Sequence, residues 1–412
     1  MSGRAPEAEG WTRRILPIAV VTMLVQQSFA YMATLVLPVA APAIARDLDL
    51  DPALVGAYSG ILFTASVMSS VNCGPFIERF GALRMSQIAL ASMALGLALP
   101  ASGALALFAV SAFLVGAGTA YGAPAGSHVL ARYATPRQAP LAFSIKQTGV
   151  PMGGILAGLM VPFFVGATGW PGAFLAAAAI CVVTGLALQP LRARFDDDRQ
   201  PGKRISPTEI VATYRIVFAK RELVELGLAS FAFVGLQVIF AAFFVLYMVE
   251  GLGHGLASAG WVFSLSQAVA IPARILWGWL AGNVVAPRLM LAALGVVMAV
   301  AAVVTGLFHA DWPVAAIALV AAVYSATAIS WHGVYLSEVA RHAPPGQVGR
   351  VTGGVMAFTG AAQLIYPALF GVLLTVTGSY AIGFQLAALP AAAIAVLFLV
   401  RHRAARTADE AA

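Results

Sequence analysis

The chain has 412 residues, of which 60% are hydrophobic and only 10% charged, and its mean hydropathy is +0.88. Such a composition cannot cover a water-soluble domain with polar surface, so the chain belongs in a bilayer. The net charge of +7 comes from cations bordering apolar runs, which excludes a nucleic-acid-binding reading.

A run of about 20 apolar residues spans the hydrocarbon core as a helix. Twelve runs are predicted, at roughly 15–42, 54–74, 84–103, 105–131, 139–166, 170–191, 222–249, 256–282, 287–308, 313–338, 350–376 and 379–400. The first is long, is led by Arg13 and Arg14 and has no clear cleavage site, so it reads as a retained helix. Cys73 and Cys181 fall inside runs and read as small packing residues, with neither a disulfide nor a metal site expected. Of the 24 Lys and Arg residues, only Arg46 falls in an outer loop and only Lys146 and Arg274 fall within helices. The rest flank one side, which places both termini in the cytoplasm.

The second loop reads "GPFIERFGALR", Gly74 to Arg84, and the fifth run contains "GVPMGG", Gly149 to Gly154. After the sixth run comes the hydrophilic stretch "RARFDDDRQPGKRISPTEIVATYRIVFAKRE", whose "SPTEIVATYRIVF" part predicts a short amphipathic helix at the membrane surface. The two halves repeat: "RYATPRQ" from Arg132 is matched by "RHAPPGQ" from Arg341. A duplicated six-helix unit is a transporter signature, since two similar bundles can rock about a site between them. The predicted organisation is a cytoplasmic N-terminus (1–14), an N-terminal bundle (15–191), a cytoplasmic linker (192–221), a C-terminal bundle (222–400) and a cytoplasmic tail (401–412).

The "GPFIERFGALR" loop resembles the G-x-x-x-D-R-x-G-x-R loop of the major facilitator superfamily, with Glu78 in place of Asp and Gly74, Arg79, Gly81 and Arg84 fitting. "GVPMGG" is similar to that family's fifth-helix G-P-x-x-G-G signature, with Val150 inserted. The resemblance implies an all-α membrane protein of twelve transmembrane helices in two pseudo-symmetric six-helix bundles. It also makes the loop a conformational latch, in which the acid sits against a helix N-terminus. The corresponding second-half loop has Gly282 and Asn283 at the acid and Arg positions, so a weak latch is expected there.

No Asp or Glu lies deep in a predicted helix, but two cations do. Counting 1.5 Å per residue, Lys146 lies roughly 10 Å and Arg274 roughly 13 Å from the cytoplasmic ends of their helices. A central cation costs about 2.5–3.5 kcal/mol on insertion scales, a cost that a visiting anion would offset. "ARILWGWLAG", Ala273 to Gly282, is similar to the helix-eight segment of monocarboxylate and oxalate-type porters, which implies that Arg274 holds a substrate carboxylate. Ala270 stands where animal monocarboxylate porters carry Asp. Polar stripes at helical spacing supply further candidate substrate-binding residues: Gln27, Tyr31, Gln147, Gln237, Gln267, Tyr324, Trp331, Gln363 and Tyr366. His332 and His128 are proton-coupling candidates. A plainer reading stands beside each. Lys146 can snorkel to the interface, Arg274 can brace backbone carbonyls, and the amides can be interhelical hydrogen bonds.

The expectation is therefore a monomeric secondary transporter of a bacterial inner membrane. It would move a small organic anion, coupled to protons or to a counter-anion, with the bilayer as its other partner. It has no catalytic residues, metal, cofactor or nucleic acid. A proton-driven drug efflux pump of the same superfamily is the alternative, weakened by the lack of a buried carboxylate. Sugar porters are disfavoured because few amides and acids are present.

Overall fold

The computed structural model describes residues 6–70, 73–134, 139–202, 217–343 and 348–411. Most of the amphipathic stretch predicted from Ser206 lies outside them, as do the last four residues of each repeated loop. Among the described residues the fold is helical throughout. Apolar runs with few breakers leave the backbone no water to bond in a bilayer, and a helix satisfies its N–H and C=O groups internally.

Ten helical segments are long and apolar enough to cross a membrane. One of them, Ile145–Ala187, is 43 residues. Straight, it would reach about 65 Å, twice the hydrocarbon thickness. It is kinked at Gly169, whose φ of 77° is open to glycine and strained for other residues, and the kink falls between two predicted runs. Leu54–Ser70, at 17 residues, covers the predicted second run as far as it is described without a gap.

The helices in chain order are α1 (Pro6–Leu48), α2 (Leu54–Ser70), α3 (Cys73–Phe80), α4 (Ala82–Ala98), α5 (Leu105–Tyr133), α6 (Ala139–Gln147), α7 (Gly149–Ala187), α8 (Gln189–Phe195), α9 (Arg221–Leu246), α10 (Leu256–Asn283), α11 (Pro287–Thr305), α12 (Val314–Ala328), α13 (His332–His342), α14 (Val348–Thr377) and α15 (Tyr380–Ala411). They form two compact units. The first comprises Met1–Val36, Thr64–Gly154 and Pro171–Ile205, and the second Leu37–Phe63, Ile155–Trp170 and Ser206–Ala412.

Small residues let helices of the first unit approach closely. A methyl group on Gly118 of α5 would lie 2.7 Å from the Ala89 carbonyl of α4, the close packing expected where lipid provides no hydrophobic drive. Ala19, Met23, Ile77, Leu83, Val129, Leu130 and Phe195 form one of the unit's hydrophobic clusters. The second unit has an aromatic core, with Phe240 stacked on Tyr324 at 4.7 Å and Phe243 on Phe370 at 4.2 Å. Phe163, Trp261 and Leu319 are exposed, which suits side chains that face lipid.

Among the described residues, the fifth and tenth predicted runs are interrupted. The fifth breaks at Thr148, between α6 and α7. Pro151 has no N–H to offer the Gln147 carbonyl four residues back, which ends the ladder there. The tenth breaks over 329–331, between α12 and α13, with neither Pro nor Gly at the break.

Candidate functional site

In the first unit, α6 delivers Lys146 into the protein interior. The residue is 1% exposed, and a methyl group on Gly126 of α5 would lie 2.6 Å from its Cε and 3.2 Å from its Nζ. A snorkelling lysine shows its nitrogen to water; this one does not. The break at Thr148 follows directly. Gln147, at the last turn of α6, accepts a 2.9 Å hydrogen bond from Gln27 Nε2 of α1. Tyr31 packs beside Gly153, where a methyl group would lie 3.0 Å from its Cβ. The first unit thus brings Gln27 onto Gln147, the residue following Lys146.

The loop between α3 and α4 turns at Gly81, with φ 99°. The anion at the α4 N-terminus is Asp196, which accepts from the Leu83 N–H at 2.8 Å and the Arg84 N–H at 3.0 Å. A methyl group on Gly81 would run into the Asp196 side chain. Glu78 was the residue expected to cap a helix. Its backbone carbonyl accepts from Gln200 N at 2.7 Å, and the side chain of Arg79 lies over the Phe80 ring. Asp198 accepts from His128 Nε2 at 2.7 Å and pairs with Arg132 at 2.8 Å, and Asp197 pairs with Arg132 at 2.7 Å. Burial pushes the Asp196 carboxyl above the ordinary range, against the pull of the two N–H donors and Arg192.

In the second unit, Arg274 of α10 is 9% exposed. It donates from Nη2 to the Ile329 carbonyl at the break, at 2.7 Å. Continuous helix would assign that oxygen to the Gly333 N–H; His332 Nδ1 lies 3.3 Å from it. Ser330 Oγ donates to the Ala270 carbonyl at 2.8 Å and Trp277 Nε1 to the Ala326 carbonyl at 2.7 Å, which tie α10 to the break on both sides. Trp331 stacks on His332 at 4.2 Å and meets Phe233 edge-on at 5.4 Å. Arg274, Trp331 and His332 therefore converge on one backbone interruption.

The remaining candidates are spread through the second unit. Gln267 is fully buried, and neither its amide nitrogen nor its oxygen has a hydrogen-bond partner among the described residues. Tyr324 Oη donates to the Leu236 carbonyl at 3.0 Å, one residue before Gln237. Tyr366 meets Phe231 edge-on at 5.3 Å, and Gln363 is half-buried one turn earlier on α14. The second-half loop, expected to be weak, draws acids from elsewhere. Its Arg288 pairs with Glu225 of α9 at 3.4 Å and with Glu338 of α13 at 3.5 Å, and Arg401 reaches Glu225 at 2.9 Å.

The sequence profile described as Major Facilitator Superfamily matches residues 23–343. The chain belongs to the Major Facilitator Superfamily. Its fold is similar to that of a POT family transporter crystallised with a thioalcohol-conjugated peptide (TM-score 0.75, 14% identity, 94% of this chain and 96% of that one). It is also similar to a bacterial homologue of the human lysosomal transporter Spinster (TM-score 0.71, 14% identity, 97% and 96%), and to the POT family transporter PepTSo (TM-score 0.73, 14% identity, 95% and 99%). No curated protein matches the chain. As a Major Facilitator Superfamily member with transporter neighbours, it is a membrane transporter rather than an enzyme.

Several residues of this Major Facilitator protein were missed from the sequence. Asp196, Asp197 and Asp198 follow the sixth run as three consecutive acids amid cations, a pattern that in sequence is indistinguishable from a charged linker. Gln26, next to the candidate Gln27, is fully buried. Gln27 is buried as well, and only the pairing of helices shows that Gln27 meets Gln147 while Gln26 faces Gly122.

Proposed function

We propose that this transporter carries a small organic anion, a mono- or dicarboxylate, by alternating access of two six-helix bundles made of twelve spans. It would sit in a bacterial inner membrane with both termini cytoplasmic. The observation that carries the reading is the burial of Lys146: its ammonium end lies among helices, beside a glycine and one residue from a glutamine pair. Arg274 supplies a second buried cation, with a planar fork suited to a carboxylate. Coupling is assigned to protons, through His332, His128 or the substrate itself, or to exchange for a counter-anion.

Thermal unfolding of the purified protein tests this against acetate, oxalate, succinate, a neutral sugar, a dipeptide and tetraphenylphosphonium. The melting temperature is expected to rise with at least one carboxylate and with neither the sugar nor the lipophilic cation. Stabilisation by tetraphenylphosphonium alone would replace this reading with drug efflux.

A further inference from the structure

Helix α5 carries Gly122 and Gly126 one turn apart, and both are buried. The missing side chains leave a notch, and two polar groups point into it from different helices. From α6 comes Lys146, at the distances given above. From α1 comes Gln26: a methyl group on Gly122 would lie 3.5 Å from its Nε2 and 3.8 Å from its Oε1. Side chains at i and i+4 on a helix are about 5–6 Å apart at Cβ, so the two polar ends occupy adjoining positions.

Gln26 is 0% exposed, and neither amide atom has a hydrogen-bond partner among the described residues. Its neighbour Gln27 does have one, in Gln147. Leaving a buried amide unbonded is costly, and leucine would fill the same volume without that cost. A buried donor and acceptor that no protein group satisfies among the described residues, beside an ammonium and against two glycines, has the chemistry of an anion site.

We infer that this notch is the carboxylate subsite of the first unit. Lys146 Nζ provides the charge, Gln26 Nε2 a directed donor, and Gly122 and Gly126 the close approach that lets both side chains lie against α5. A lysine has three N–H donors, enough to serve the Gln26 oxygen and one carboxylate oxygen together while the amide N–H takes the other. The inference rests on the anion-transport reading and adds to it Gln26, Gly122 and Gly126.

Three variants of the full-length purified protein test it, with binding of acetate, oxalate and succinate followed by calorimetry and by thermal unfolding. Gln26→Leu is expected to weaken the tightest of the three by about tenfold or more, the loss of one hydrogen bond to a charged group. Gly122→Ala meets only ordinary contacts and is expected to fold normally yet bind less. Gln26→Glu places a carboxylate in the notch; it is expected to raise the melting temperature of the ligand-free protein and to abolish the response to added carboxylates. If wild type binds a carboxylate, Gln26→Leu binds equally well and is more stable, and Gln26→Glu is destabilised, then the notch holds at most a fixed water and the inference falls while the transport reading stands. If wild type responds to none of the three but Gln26→Glu is stabilised, the anion-attracting notch stands and the choice of transported carboxylate falls. No response in wild type together with destabilisation of Gln26→Glu overturns both.

Discussion

Arg274 serves two purposes that substitution separates. Its guanidinium donates to the Ile329 carbonyl at 2.7 Å, an acceptor that the broken helix leaves without its usual partner. The same planar group is the candidate carboxylate ligand. Arg274→Ala removes both and leaves the Ile329 carbonyl only the longer contact to His332 Nδ1 at 3.3 Å; weakening a buried acceptor's hydrogen bonding costs about 1 kcal/mol or more, so stability and binding should fall together. Arg274→Lys keeps a donor long enough to approach the carbonyl but loses the bidentate fork. Its stability should recover most of the difference, while its affinity for a carboxylate should stay about ten to a hundredfold below wild type. Thermal unfolding and calorimetry on the two variants check this. A lysine variant that binds as wild type would reduce Arg274 to a brace for the break in the tenth run.

At the scale of elements, the α3–α4 turn shows how a distant residue completes a local motif. The N-terminus of α4 presents N–H groups that an anion satisfies, and Asp196, 113 residues along the chain, accepts from the Leu83 N–H. Burial of Asp196 raises its folded pKa, so the folded protein binds its proton more readily than the unfolded chain does. The ionised form is then the costly one. That cost is present at neutral pH, shrinks as pH falls through the raised folded value, and is gone below the unfolded value of about 3.9. Asp196→Asn should therefore flatten the rise in melting temperature as pH is lowered from 7 towards 4; an unchanged slope would show that other groups produce it. The turn itself was legible, because Gly81 and Arg84 mark it in sequence. The identity of its acid was not, because a cap from another helix leaves no local trace. The same contrast separates the two broken runs. The break after Gln147 is written in Pro151, whereas the break at 329–331 has no breaker and coincides with a side chain arriving from α10. Long apolar runs made the helices readable. Which amide faces which glycine depends on helix pairing, and so Gln27 was found and Gln26 was not.

For the whole molecule, the distribution of charge is the basis of the proposed direction across the membrane. Arg132, Arg192 and Arg194 follow the inner ends of runs in the first unit, and Arg288, Arg341 and Arg401 those in the second. The acids Asp47, Asp49, Asp51, Glu250 and Asp311 lie at the opposite ends. On the proposed orientation, this bias would put both termini and the segment after α8 on the cytoplasmic side. The structure adds a local reason for the side chains to stay there: Arg132 is held by Asp197 and Asp198, and Arg288 by Glu225 and Glu338. Asp197 and Asp198 are partly solvated, whereas Glu225 and Glu338 are buried, so Arg288 is the charge partner of two carboxylates that have left water, and such paired charges are costly to separate in hydrocarbon. The orientation is checked in intact cells with single cysteines at Ala5, Gln200 and Ala408 and at one outer-loop control, Asp311. The background replaces Cys73, which is only partly buried, and the buried Cys181. An impermeant thiol reagent is expected to label the position at 311 at once and the other three only after the cells are opened. Labelling of position 200 from outside would invert the whole topology. In that orientation Lys146 and Arg274 would enter their helices from the outer face, and the predicted depth of both cations would have to be measured from the other side.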